Sequence, residues 1–238
     1  MKKILSSIMV TATLFSCAPK KENGIEYSVD KFADLEVLRY EVPGFDELSL
    51  QQKKLVYYLS EAALQGRDIL FDQNGKWNLA IRRTLESIYT NYAGDRESDD
   101  FKAFELYLKQ VWFANGIHHH YATDKFTPRF SQSFFEEAVR SVDPSTLPLK
   151  PGKDVDALLN DLTPVIFNPS LLAKRVNQAD GEDLVLTSAG NYYDGVTQAE
   201  SEAFYNRMKD PKDETPISYG LNSRLVKRNG KIYEEVYK

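Results

Sequence analysis

Cysteine is nearly absent from this sequence: Cys17 is the single one in 238 residues. Without a second thiol no internal disulfide can form, so the fold must be held by packing. Histidine is almost as scarce, with three in all, and these are adjacent at His118, His119 and His120. No histidine is followed by glutamate, so the HExxH and HExxxH zinc helices are missing. GxSxG and the glycine-rich phosphate loops are missing too, which removes the nucleophile elbow and nucleotide-cradling chemistry. Positive charge is not in excess: 30 Lys and Arg stand against 35 Asp and Glu, a net charge of −5. No basic stripe stands out, which argues against nucleic acid as a partner.

What is present suits a packed globular chain, with 42% hydrophobic and 12% aromatic residues. The N-terminus has the layout of an export leader. Lys2 and Lys3 precede a short apolar run at 4–15 that is too short to span a bilayer, and the chain turns polar after Cys17. This resembles a bacterial lipoprotein leader, with residues 1–16 removed and Cys17 lipidated; an ordinary secretory signal with a chance cysteine is the other reading. Without its leader the chain carries 28 basic and 35 acidic side chains.

Residues 17–34 read as a polar tether, and 35–150 as a helical subdomain around a histidine-rich loop. Residues 151–238 read as a mixed helix and hairpin portion of the same lobe, one that is incomplete. A strand is expected over 35–42, ended by Pro43-Gly44. Ser49 should cap a helix whose face is Leu55, Leu59, Ala62, Ala63, Gly66, Ile69 and Leu70, running to Asn74-Gly75. Helices are expected over 77–92, from Ser98 to Asn115-Gly116, and from Ser131. Another should start near Val155, be broken at Pro164 and Pro169, and resume over 170–176. Residues 184–186 are expected as a strand, 143–153 as a loop or internal boundary, and 197–208 as a helix. The end reads as a hairpin about Asn229-Gly230, with Val226 opposite Tyr233 and Arg224 opposite Glu235. A lone hairpin is marginal in water, which suggests more sheet downstream. The fold class expected is α+β, predominantly helical with a small antiparallel sheet.

The informative stretch is 112–130, WFANGIHHHYATDKFTPRF. Three adjacent histidines cannot all reach one ion, because successive side chains point ~100° apart on a helix and alternate on a strand. His118 and His120 can share a metal, with Asp124 as a conceivable third ligand; a hydrogen-bonded polar wall, one ring stacked on Tyr121 or Trp112, is the plainer reading. Ser131 and Ser133 read as helix-start residues.

Several blocks carry a resemblance: LQQKKLVYYLSEAALQGRDIL at 50–70, VWFANGIHHHYATDKFTP at 111–128, SAGNYYDGVTQAESEAFY at 188–205, and the hairpin region 218–236. In this order they resemble the N-terminal part of a dipeptidyl peptidase III, a zinc-dependent exopeptidase family that releases dipeptides from peptide N-termini. The resemblance runs from about 42 to 238. It implies a two-lobed enzyme with peptide in the cleft between lobes, and places this chain in the lobe that bears a β-barrel. The zinc helix, its later glutamate ligand and the catalytic glutamate are not in this sequence. It follows that the chain alone should be inactive, hold no metal, and contribute scaffold and one cleft wall, with His120 and Tyr121 touching short peptides. Implied partners are the missing C-terminal lobe and, through Cys17, a membrane. The isolated piece should tend to aggregate. The alternative is a non-catalytic exported lipoprotein that binds peptides or a protein partner.

Overall fold

Two short strands open the described part of the chain. The computed structural model describes residues 25–214 and 222–237. The leader expected at 1–16 and the lipidation site Cys17 lie outside these residues. The chain parts into two compact units between Glu47 and Leu48. In the first, β1 (Ser28–Phe32) pairs antiparallel with β2 (Leu35–Leu38), Phe32 opposite Leu35. The tether reading of 17–34 therefore fails over β1. Its SVDKF alternates half-buried and exposed side chains, a period-2 pattern hidden by polar composition. Ala33, at φ 49°, makes the tight reversal between the strands.

The second unit begins at α1 (Leu50–Gln65), which starts where Ser49 and Gln52 cap each other reciprocally. One helix through residue 74 was expected; instead the chain breaks at Gly66 and continues as α2 (Arg67–Asn74). Glycine is the weakest ordinary helix former, so a break there costs little. None of α1's side chains is buried, although its apolar face reads as core. Next come α3 (Asn78–Asn91) and α4 (Asp99–Ala114). The Ser98 hydroxyl accepts from Phe101 N–H at 3.2 Å, and Asp99 and Asp100 lie in the first turn, where negative charge suits the helix dipole.

After the histidine segment, α5 (Gln132–Ser141) is capped by Ser131, and α6 (Val155–Phe167) by Asp154. Pro164 was expected to end α6, but the helix runs on to Phe167. The proline is close to the end, so it forfeits one bond, that to the Asn160 carbonyl, while Val165 and Ile166 beyond it are buried. One hydrophobic core joins α2, α3, α4, α5 and α6, from Phe71 to Ile166, so the loop at 143–153 crosses it without dividing it. Phe104, Phe130 and Phe134 meet edge-on within 6.2 Å at its centre.

Residues 170–176 do not resume a helix. Leu172 sits at φ 54°, and the segment runs extended beyond it. The strand expected at 184–186 is a short helix, α7 (Leu184–Thr187), because the Asp183 carboxylate accepts from Val185 and Leu186 N–H. Then follow β3 (Tyr193–Asp194) and α8 (Gln198–Asn206), the latter opened by a Thr197–Glu200 capping box. β4 (Ser223–Arg228) and β5 (Lys231–Val236) form the terminal hairpin, with Val226 opposite Tyr233 and Arg224 opposite Glu235. Asn229 and Gly230 take φ 52° and 74°, as a type I′ turn demands. The hairpin is not alone, since β3 pairs parallel to β4 through Tyr193 and Leu225. The class is α+β and helix-dominated, and neither sheet closes into a barrel among the described residues.

Candidate functional site

α4 delivers the histidine segment on a fixed path. Asn115 ends the helix in the left-handed region, and Gly116 N–H donates to the Val111 carbonyl at 3.1 Å. At Gly116, φ is +151° and a Cβ would lie 2.3 Å from Asn78 Nδ2, so backbone and neighbour both require glycine. Asn78 Oδ1 accepts from Ile117 N–H at 3.4 Å, and Ile117 is buried.

Residues 117–126 then fold back on themselves. Phe126 N–H donates to the Ile117 carbonyl at 2.8 Å, and His119 N–H to the Asp124 carbonyl at 2.8 Å. The returning limb is stitched to 173–176: Lys125 N–H donates to Ala173 O at 3.0 Å and Arg175 N–H to Thr123 O at 2.8 Å. On its far side the same segment accepts from 189–190, with Ala189 N–H to Lys174 O at 2.9 Å and Gly190 N–H to Arg175 O at 3.1 Å. The histidine loop is thus one edge of an irregular three-ply patch.

Each histidine has its own surroundings. His118 is buried and its Nε2–H donates to the Leu172 carbonyl at 2.7 Å, while Nδ1 is buried without a partner. Burial holds its pKa below the ordinary imidazole value, with Lys125 and Arg175 pushing the same way. His119 Nδ1 accepts from Tyr121 and Ala122 N–H at 3.2 and 3.0 Å, closing the tight turn. The His120 ring meets Phe113 edge-on at 5.0 Å and Tyr121 at 4.3 Å, between ring centres. Tyr121 itself is 84% exposed. Trp112 goes elsewhere, donating to Glu86 at 2.9 Å and packing on Tyr89. Ser131 bonds Asp100 and caps α5, and Ser133 donates to the Ser131 hydroxyl.

Asp124, weighed as a third metal ligand, pairs with Lys174. Among the described residues no three His, Cys, Asp or Glu side chains gather closely enough to hold an ion. No described helix is long and apolar enough to cross a membrane.

Sequence reasoning missed two cations. Lys125 Nζ donates to the carbonyls of Val165 at 3.0 Å, Leu171 at 2.6 Å and Asn168, closing the C-terminal end of α6. A cation is favoured there by the exposed carbonyl dipoles. Arg175 donates through Nη1 to Asn74 Oδ1 at 3.2 Å and through Nη2 to the His120 carbonyl at 3.1 Å. Arg175 also lines a cleft of about 370 Å³ with Asn74, Val176, Leu184, Val185 and Tyr192. Neither role has a local signature, because Arg175 and Asn74 lie 101 residues apart. A scan against protein-family models and a search of curated proteins found no match.

Proposed function

We propose that this chain is part of a zinc-dependent exopeptidase of the dipeptidyl peptidase III kind, in which His120 and Tyr121 form one wall of the peptide cleft. The ordered blocks at 50–70, 111–128, 188–205 and 218–236 support the family. The observation that carries the site is Tyr121: the residue is 84% exposed, yet it stands on a loop tied by backbone bonds on two sides. A rigid aromatic left in water is an inexpensive platform for an extended peptide, because little side-chain freedom is lost when a ligand stacks on it. His120 stiffens that platform from behind by lying between Phe113 and Tyr121.

In this reading the metal and the general base come from another part of the enzyme, because the sequence holds neither an HExxH nor an HExxxH helix. That part would supply zinc-polarised water for attack on the peptide carbonyl. This chain's own contribution is to hold the peptide. The uncovered side chains of α1 fit a body that packs against more protein, the second lobe in this reading. Cys17 carries the lipid anchor and places the chain in the bacterial cell envelope; retention of Cys17→Ala in the membrane fraction would argue against it.

Calorimetric titration of tetra-alanine tests the site. Weak, saturable binding is expected, reduced about tenfold in Tyr121→Ala, with no dialanine released when zinc is added. Unchanged binding in the variant removes the assigned wall. Dipeptide release by this chain alone removes the division of labour between lobes.

A further inference from the structure

Arg175 differs from the other partly buried arginines. Arg82 pairs with Asp68 and Glu86, and Arg224 with Glu235. For Arg175 the described residues supply two neutral acceptors, Asn74 Oδ1 and the His120 carbonyl, and no carboxylate. Its Nε is buried without a partner. A guanidinium drawn partly out of water without a counter-ion is costly, and the cost is recovered if an anion arrives from outside. The two existing bonds fix the plane of the fork in advance, which favours a planar oxyanion and lowers the ordering cost of binding it.

The cleft beside it has the matching shape. Its volume of about 370 Å³ is at the small end of ordinary ligand sites, which run from roughly 300 to 1,000 Å³. Val176, Leu184, Val185 and Tyr192 give it an apolar wall, and no Asp or Glu lines it. Two of the other polar side chains that line it are already engaged. Asn74 Nδ2 donates to the Asn115 carbonyl, and Ser188 donates to Leu184 and accepts from Asn177. Among the described residues that line the cleft, Arg175 is the one charged side chain.

We propose that this cleft binds a small monocarboxylate with an apolar or aromatic tail, the carboxylate on Arg175 and the tail along Leu184, Val185 and Tyr192. The site is distinct from the exposed face of Tyr121 and does not depend on the peptidase reading. It borders the histidine loop, because the same guanidinium holds the His120 carbonyl.

Calorimetric titration of the full chain with 3-phenylpropionate tests this, with 3-phenylpropanol and inorganic phosphate as the arms that separate tail from charge. Saturable binding of the acid is expected, with the alcohol and phosphate each at least about tenfold weaker. Arg175→Met should lose the binding. Because that change also frees the His120 carbonyl, Val185→Trp provides a second variant that fills the cleft and leaves Arg175 in place; it too should weaken the acid about tenfold, with the circular dichroism spectrum unchanged. Three results overturn the proposal: no saturable heat with the acid, equal binding of acid and alcohol, or wild-type binding by a folded Val185→Trp. Phosphate binding as tightly as the acid overturns the choice of ligand class.

Discussion

α1 and α4 are alike in length, in a serine N-cap and in apolar content. Each has 16 residues, each starts after a serine whose hydroxyl accepts from the third N–H, and each is rich in leucine and aromatic side chains. Yet α4 buries Phe101, Phe104, Tyr107, Leu108, Val111 and Ala114, whereas α1 buries nothing and leaves Leu55, Tyr58 and Leu59 more than half exposed. A fully buried Leu or Phe contributes about 1.5–3 kcal/mol of transfer free energy, so the two helices differ by many times the value of a cap. Caps fix where a helix begins. What its face contributes depends on the surface opposite, and that information is not local. An isolated helix of α1's length is near the marginal limit in water, and a cover for its apolar face is what the proposed second lobe would supply.

The contrast can be broken most forcefully in the core. Phe104→Ala should cost about 3–5 kcal/mol in urea unfolding, because the ring is fully buried among Phe101, Phe130 and Phe134. A smaller effect is expected in the loop that α4 delivers. Lys125→Met keeps the stem but abandons three carbonyls at the end of α6, and should cost about 2 kcal/mol.

His118 sharpens the comparison through pH. Burial depresses its pKa in the fold below the 6.5 of a free ring, so below that pH the unfolded chain binds more protons than the folded one. Its contribution is complete above about pH 6.5 and is lost as the pH falls toward the folded value. Between about pH 7 and 5 the urea midpoint of the wild type should therefore fall more steeply than that of His118→Gln; parallel curves would contradict the burial. The smallest change is expected at Leu59→Ala, within about 0.5 kcal/mol. A cost near that of Phe104→Ala would mean that α1 already has a partner in solution.

Local chemistry was legible in the sequence wherever it stayed local. Ser49, Ser98, Ser131 and Thr197 marked helix starts, and Asn229-Gly230 fixed the register that sets Arg224 against Glu235. The errors share a cause. Ser28–Phe32 looked like tether because its partner strand supplies the order, and 184–186 looked like a strand because the capping role of Asp183 was not weighed. In the site, the adjacency of His118, His119 and His120 was plain, whereas the ring partner stayed open between Tyr121 and Trp112; it is Tyr121 that His120 meets. That Lys125 closes α6 and that Arg175 holds the His120 carbonyl were not plain, since each bond spans more than 39 residues.

Amide hydrogen exchange with and without tetra-alanine tests the central claim most directly. If the histidine loop is a peptide wall, exchange should slow at 118–124 while α3 and α6 are unchanged. Protection confined to other segments, with the Tyr121 loop unaffected at saturating peptide, would contradict it.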